Sequence, residues 1–312
     1  MLMVCGEALL DVFAAGDTAT GMALEARVGG SPFNLAVGLA RLGQPAAFFS
    51  AVSTGFMGER LMRTLAEEGV NTAAVRRTDD ATTLSVVGLD AAGVPSDAFY
   101  GERGADRQLP LAALAHVPGG ITAINVGSYA TVVEPIATTL RALVEREHAL
   151  GTRGALIAYD PNIRLNVEPD LQRWRDQLAW MLPRTHLLKI SDEDLGLLQP
   201  GIAPDAFARH ALAQGVKAVV VTRGAEGALA WTAQAEASTP PVPVTVIDTV
   251  GAGDTFQAAL LTWLAEHGAL SAEALGALTA AQLRSALAFA ARAAAITCSR
   301  RGADMPRRGE LP

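Results

Sequence analysis

Residues 248–256 read DTVGAGDTF and carry two carboxylates, Asp248 and Asp254, around the small residues Gly251, Ala252 and Gly253. The run before them, VTVIDTV (244–250), reads as a strand, and the run after them, QAALLTWLAEHG (257–268), reads as a helix. A helix start leaves backbone N–H groups without intrahelical partners, and the helix dipole adds partial positive charge there. Small residues let an anion come close to that backbone, so the 251–253 loop is an anion site. Asp254 falls in the first helical turn, where two roles are open. It can satisfy first-turn N–H groups. It can also act as a general base, taking a proton from a hydroxyl while neighbouring N–H groups stabilise a transferring phosphoryl group. No GxxxxGK[ST] loop occurs, and GAGDTF lacks the full GxGxxG spacing.

The elements that must position these residues alternate along the chain. Apolar runs AAFFSAVS (46–53), ITAINVGSYA (121–130), ALIAYDPN (155–162), HLLKIS (186–191) and KAVVVTRG (217–224) end in small or polar residues. Amphipathic stretches such as 31–43 and 55–69 lie between them; the first has Ser31 as an N-cap, Pro32 at the first helical position and Gly43 just past the end. This pattern predicts one α/β domain over 1–312, with a mostly parallel central sheet and helices on both faces. Ligands bind at the carboxyl ends of such strands, so Asp11, Asn125, Asp160, Asn162, Ser191, Thr222 and Asp248 are expected on one rim. Segments 12–30 and 82–104 break the pattern and read as hairpins, forming a small β-sheet lid over that rim. STPPVP (238–243) reads as an extended connection.

Bulk properties narrow the function class. The chain has 312 residues, half hydrophobic and 18% charged, with a net charge of -7, which argues against a nucleic-acid or acidic-membrane partner. Two cysteines, Cys5 and Cys298, make no disulfide framework. The five histidines show no ligand spacing. The N-terminus reads as a strand and no apolar run is long enough to span a bilayer, so a cytoplasmic protein is expected.

DTVGAGDTF resembles the C-terminal signature of the ribokinase-like (PfkB-type) carbohydrate kinases. GGSPFNLAVGLARLG (29–43), DPNIR (160–164), KISDEDL (189–195), TRGAEGA (222–228) and AAAITCSRRGADMP (293–306) follow the same family's order. The resemblance implies an ATP-dependent sugar kinase using Mg2+, with Asp254 as the base and Gly251, Ala252 and Gly253 as the anion hole. It implies sugar contacts from Asp11, Gly29, Gly30 and Asn34, with Gly29–Gly30 as a lid hinge; a surface Asn is the other account of Asn34. One of Phe99 and Tyr100 would cover the sugar, since alternation sends them to opposite faces. Arg164 would reach phosphate or substrate. Asn162, Ser191, Thr222, Arg223, Gly224 and Ala290 would border the nucleotide, although core packing accounts equally well for the alanines near Ala290. Asp248 resembles a residue near a potassium-binding loop. The family's N-x-x-E element is SDED here, leaving Asp194 or Glu193 to support Mg2+ through water. Within the family the motifs are most similar to bacterial fructokinases. Gly101 stands where 2-keto-3-deoxygluconate kinases carry an Arg for the substrate carboxylate, which favours fructose, phosphorylated to fructose 6-phosphate, over the sugar acid. Ribokinase is a third alternative. A non-catalytic sugar- or nucleotide-binding paralogue is the reading of another class. Exposed lid edges suggest a homodimer through the lid.

Overall fold

Runs that are apolar at every position form the central sheet, because both of its faces are covered. The computed structural model describes residues 1–89 and 95–311. The first strands are β1 (Leu2–Cys5), β2 (Leu9–Thr18), β3 (Gly21–Gly29), β4 (Ala46–Phe49), β5 (Ala51–Ser53), β6 (Arg76–Thr78) and β7 (Thr83–Leu89). They are followed by β8 (Pro95–Tyr100), β9 (Ala123–Gly127), β10 (Leu156–Asp160), β11 (Leu187–Ser191), β12 (Ala218–Thr222), β13 (Ala228–Thr232) and β14 (Glu236–Thr239). The helices are α1 (Ser31–Arg41), α2 (Phe56–Glu67), α3 (Ile136–Ala149), α4 (Leu171–Met181) and α5 (Asp192–Leu198). After them come α6 (Pro204–Ala213), α7 (Ala252–Glu266), α8 (Ala272–Gly276) and α9 (Ala280–Cys298).

The large sheet has the order β14-β13-β12-β11-β10-β9-β1-β4. Its pairings are parallel from β12 to β4, and β13 and β14 are added through antiparallel pairings. Successive residues of β1 feed opposite cores. Leu2 and Val4 pack with α1, α2, α7 and α9, whereas Met3 and Cys5 pack with α3, α4, α5 and α6. The two-faced α/β architecture expected from the sequence is therefore present. Among the described residues no helix is long and apolar enough to cross a membrane.

A second sheet, β3-β2-β7-β8, stands apart and uses the two segments expected to form the lid; residues 90–94 of the second segment lie outside the described residues. Cross-strand partners share a face of a sheet. One register row runs Arg27–Asp11–Ser85–Phe99 across all four strands.

Three expectations need correction. Asp11 does not end the first strand: β1 stops at Cys5, Gly6 turns the chain at φ 145°, and Asp11 lies within β2 of the lid. The run 46–53 is two strands, split at Ser50, with β5 pairing β6 in a separate ribbon. The stretch 244–250 is not a strand. Pro240, Pro241 and Pro243 remove backbone donors just upstream, and Val246 and Ile247 are each 59% exposed. The segment is anchored instead by Ile247 N and Asp248 N, both of which donate to the Cys298 carbonyl.

Candidate active site

A cleft of about 330 Å³ opens between the lid and the carboxyl ends of the central strands. Asp254, the third residue of α7, lines it together with Gly251 and Gly253. Gly251 is the N-cap in the left-handed region, φ 77°, and a Cβ there would stand 2.5 Å from the Ala303 methyl. Only glycine fits that entry without strain.

The Asp254 carboxylate is held by α1. Ser31 Oγ donates to Oδ1 at 2.6 Å and Asn34 Nδ2 donates to Oδ2 at 2.9 Å. The expected capping role of Ser31 is thus corrected. Gly30 is the N-cap of α1, Ser31 is its first residue, and Pro32 its second. Asn34 is buried, so the surface account of it fails. Burial pushes the Asp254 carboxyl above its usual range, and the Ser31 and Asn34 hydrogen bonds, then the charges of Lys189 and Arg164, oppose that rise. The arrangement gives an oriented carboxylate at a helix N-terminus, able to accept a proton from a hydroxyl placed in the cleft.

The lid supplies the opposite wall. Asp11, Ser85 and Phe99 of the register row all line the cleft. A Cβ on Gly29 would lie 2.1 Å from Asp11 Oδ2, so the carboxylate packs directly on the glycine backbone. Phe99 faces inward, whereas Tyr100 is 64% exposed. Asn162 and Arg164 complete the wall. Asn162 adopts φ 41°, and its buried Nδ2 has no partner among the described residues.

Beside the anion loop lies a buried pair, Lys189 Nζ to Asp160 Oδ2 at 2.6 Å. Lys189 Nζ is 3.4 Å from the point a Cβ on Gly253 would occupy, which sets its charge under the start of α7. Asp194 is buried near them, and Ile163 N donates to its Oδ2 at 3.4 Å. Burial and the neighbouring Asp160 push its carboxyl up to about 6, against Lys189 and Arg164. Glu193 is exposed, so of the two acids Asp194 is the one in this cluster. Ser191 Oγ accepts from Asp194 N and caps α5.

Other expected residues take different places. Ser191 and Thr222 are register partners on the same rim, but neither they nor Arg223 and Gly224 line the cleft. Arg223 is turned onto Glu226, at 3.3 Å. Ala290 is fully buried in the core against α7 and has no surface for a ligand, which corrects its expected nucleotide contact. Asp248 sits in a loop, not at a strand end; its carboxylate accepts from Val250 N at 3.0 Å and Gly302 N at 2.7 Å.

Glu7 and Tyr129 line the cleft without having been expected there. Glu7 is 2% exposed, its Oε2 has no partner among the described residues, and burial pushes its carboxyl up to about 8, against the neighbouring Ser128 hydroxyl. A single charged residue inside an apolar run was the available signal, in VCGEALL for Glu7 and in HLLKIS for Lys189.

A family profile described as "pfkB family carbohydrate kinase" matches residues 1–308. A fructokinase of Rhizobium leguminosarum bv. trifolii is 35% identical over 284 residues, covering 91% of this chain and 86% of that protein. Among solved structures, fructokinase with bound ATP from Xylella fastidiosa superposes with a TM-score of 0.86 at 29% identity, covering 99% of this chain and 96% of the other. A double-mutant fructokinase from Vibrio cholerae O395, in fructose, ADP and potassium ion bound form, gives a TM-score of 0.80 at 25% identity, with 97% and 93% covered.

Proposed function

The chain belongs to the pfkB family of carbohydrate kinases, and from that premise we propose that it transfers the γ-phosphoryl group of ATP to the 6-hydroxyl of D-fructose. The carrying observation is the Asp254 carboxylate, fixed by Ser31 and Asn34 at the start of α7 and facing the lid row. The sugar lies against Asp11, Gly29, Gly30 and Phe99, and its hydroxyl proton passes to Asp254. The sugar oxygen then bonds the γ-phosphorus as the bond to the ADP oxygen breaks. The α7 N-terminus, with Lys189 beneath Gly253, receives the negative charge on the transferring group.

Asp160 and Asp194 are the residues suited to a Mg2+ shared with the nucleotide phosphates. Among the described residues Asp160 Oδ1 lacks a partner, and no group of three or more acidic, His or Cys side chains able to hold a metal occurs. Two carboxylates with no third ligand fit an ion that keeps most of its waters. When bound, Mg2+ neutralises phosphate charge. The Vibrio cholerae relative carries a potassium ion, and the loop tied down by Asp248 is the corresponding candidate in this chain.

The choice of sugar rests on charge as well as on the relatives. Asp11 and Asp254 line the cleft with Arg164 as the only Lys or Arg among its described lining residues, which disfavours a sugar carboxylate. A Cβ on Gly101 would stand 2.6 Å from Thr83 Cγ2, so a longer residue there needs a rebuilt lid. Met22 and Leu24 are 63% and 55% exposed on β3, and a homodimer through the lid would cover them; a monomer mass in sedimentation argues against that assembly.

The test is ADP release with Mg-ATP against fructose, ribose and 2-keto-3-deoxygluconate, with and without potassium. Fructose is expected to dominate. Asp254→Asn should keep the native melting temperature and lose about 10²- to 10⁴-fold in kcat. Near-normal turnover by Asp254→Asn removes the base assignment, and activity on the keto acid alone removes the sugar assignment.

A further inference from the structure

Where the lid joins the body, the chain from Gly101 to Arg107 makes contacts that the phosphoryl transfer does not use. Asp106, on the 3-10 turn Ala105–Arg107, is 1% exposed. Its carboxylate accepts from two hydroxyls, Tyr129 OH at 2.7 Å and Thr83 Oγ1. Tyr129 lines the cleft, while Thr83 begins β7 at the root of the lid, paired with Leu9. Phe99 meets the Tyr129 ring edge-on at 5.5 Å, and the Arg107 guanidinium lies 5.6 Å from both ring centres. The same turn is stitched to the lid root by Ala105 N donating to Ala81 O at 2.8 Å. There is no slack: a Cβ on Gly104 would stand 1.9 Å from Thr83 Oγ1 and 2.7 Å from Asp106 Oδ1.

We propose that Asp106 is a positioning residue for the sugar, fixing the aromatic wall of Tyr129 and Phe99 and tying that wall to the root of the lid through Thr83. This rests on the carbohydrate-kinase reading of the cleft. Asp106 is buried and does not line the cleft, so its loss should act on sugar binding through Tyr129 and Phe99 and leave nucleotide binding alone. Without it, two buried hydroxyls lose their shared acceptor and the Tyr129 ring is free to tilt.

The experiment is steady-state kinetics on Asp106→Asn, Tyr129→Phe, Thr83→Val and Asp106→Asn/Tyr129→Phe, using the sugar selected by the screen above. For Asp106→Asn, KM for the sugar should rise about tenfold while KM for ATP stays within about twofold and kcat within about threefold. Tyr129→Phe should move the same way by less, and should add nothing on top of Asp106→Asn, because both remove one link. Should Asp106→Asn fail to fold, Tyr129→Phe and Thr83→Val each delete one donor, keep the carboxylate, and must show the same KM split. Equal changes in both KM values, no change in either, or an additive double variant overturns the proposal. Asp254→Asn in the same assay separates the two readings: normal turnover there sinks the cleft assignment, whereas lost turnover with a flat Asp106 series sinks only the positioning role.

Discussion

The Asp254 carboxylate is held by two side chains far away in sequence. Ser31 and Asn34 donate to it across 223 and 220 positions, and both bonds favour its charged form against burial. Removing either donor leaves burial less opposed, so the carboxyl rises further and less of it is ionised at a given pH. Ser31→Ala and Asn34→Ala should therefore move the acid limb of the kcat/KM profile to higher pH, with rates recovering toward wild type on the alkaline side. A pH–rate series on the two variants checks this, and an unmoved limb means the donors do not tune the Asp254 carboxyl. The position of Asp254 at a helix start was legible in DTVGAGDTF. Its holders were not, because a Ser before an apolar helix looks like a cap and no local pattern reveals a partner in α7. Glu7 and Lys189 escaped for a related reason: only the packed fold shows that their heads are buried.

At the scale of elements, Asp254 and its holders ride on two helices that cross at Gly38. A Cβ there would stand 2.5 Å from Met305 Sδ and 2.9 Å from the Ala258 methyl of α7. Met305 can yield, but α7 has to move. Gly38→Ala should cost about 1–3 kcal/mol by overpacking and should lower kcat as well, since spreading α1 from α7 stretches the bonds to Asp254. Urea unfolding with parallel kinetics tests this; lost stability at unchanged kcat shows that the crossing does not transmit to the site. Most strands and helices were legible, since fully apolar runs and amphipathic stretches alternate cleanly. VTVI misled because its residues favour strands, while three nearby prolines and the tether to Cys298 leave it unpaired. Asp11 misled because VCGEALLDVF reads as a continuous run, although Gly6 divides it between two sheets.

Over the whole molecule, burial of acids couples folding to pH. The Glu7 carboxyl stands near 8 in the fold against 4.5 when unfolded, so the folded chain keeps a proton that the unfolded chain releases. That contribution is complete below about 4.5 and is lost as pH rises through about 8. The Glu7→Gln variant should lose less melting temperature than wild type between pH 5 and 9, measured by calorimetry; parallel curves would remove Glu7 as the source. Legibility also ended at this scale: composition and alternation indicated one two-faced domain with a lid, but not which lid residues meet the cleft. That depends on register, and register also constrains how the lid can be inherited. Arg27, Asp11, Ser85 and Phe99 form one row of four strands, and inserting a single residue between any of them and the body would turn it to the opposite face. Growth of these strands on the body side of the row is therefore permitted only in pairs of residues. The irregular step between Ala14 and Asp17 lies beyond Asp11, on the outer part of β2, where a lineage can add or lose one residue without turning the cleft-lining row away.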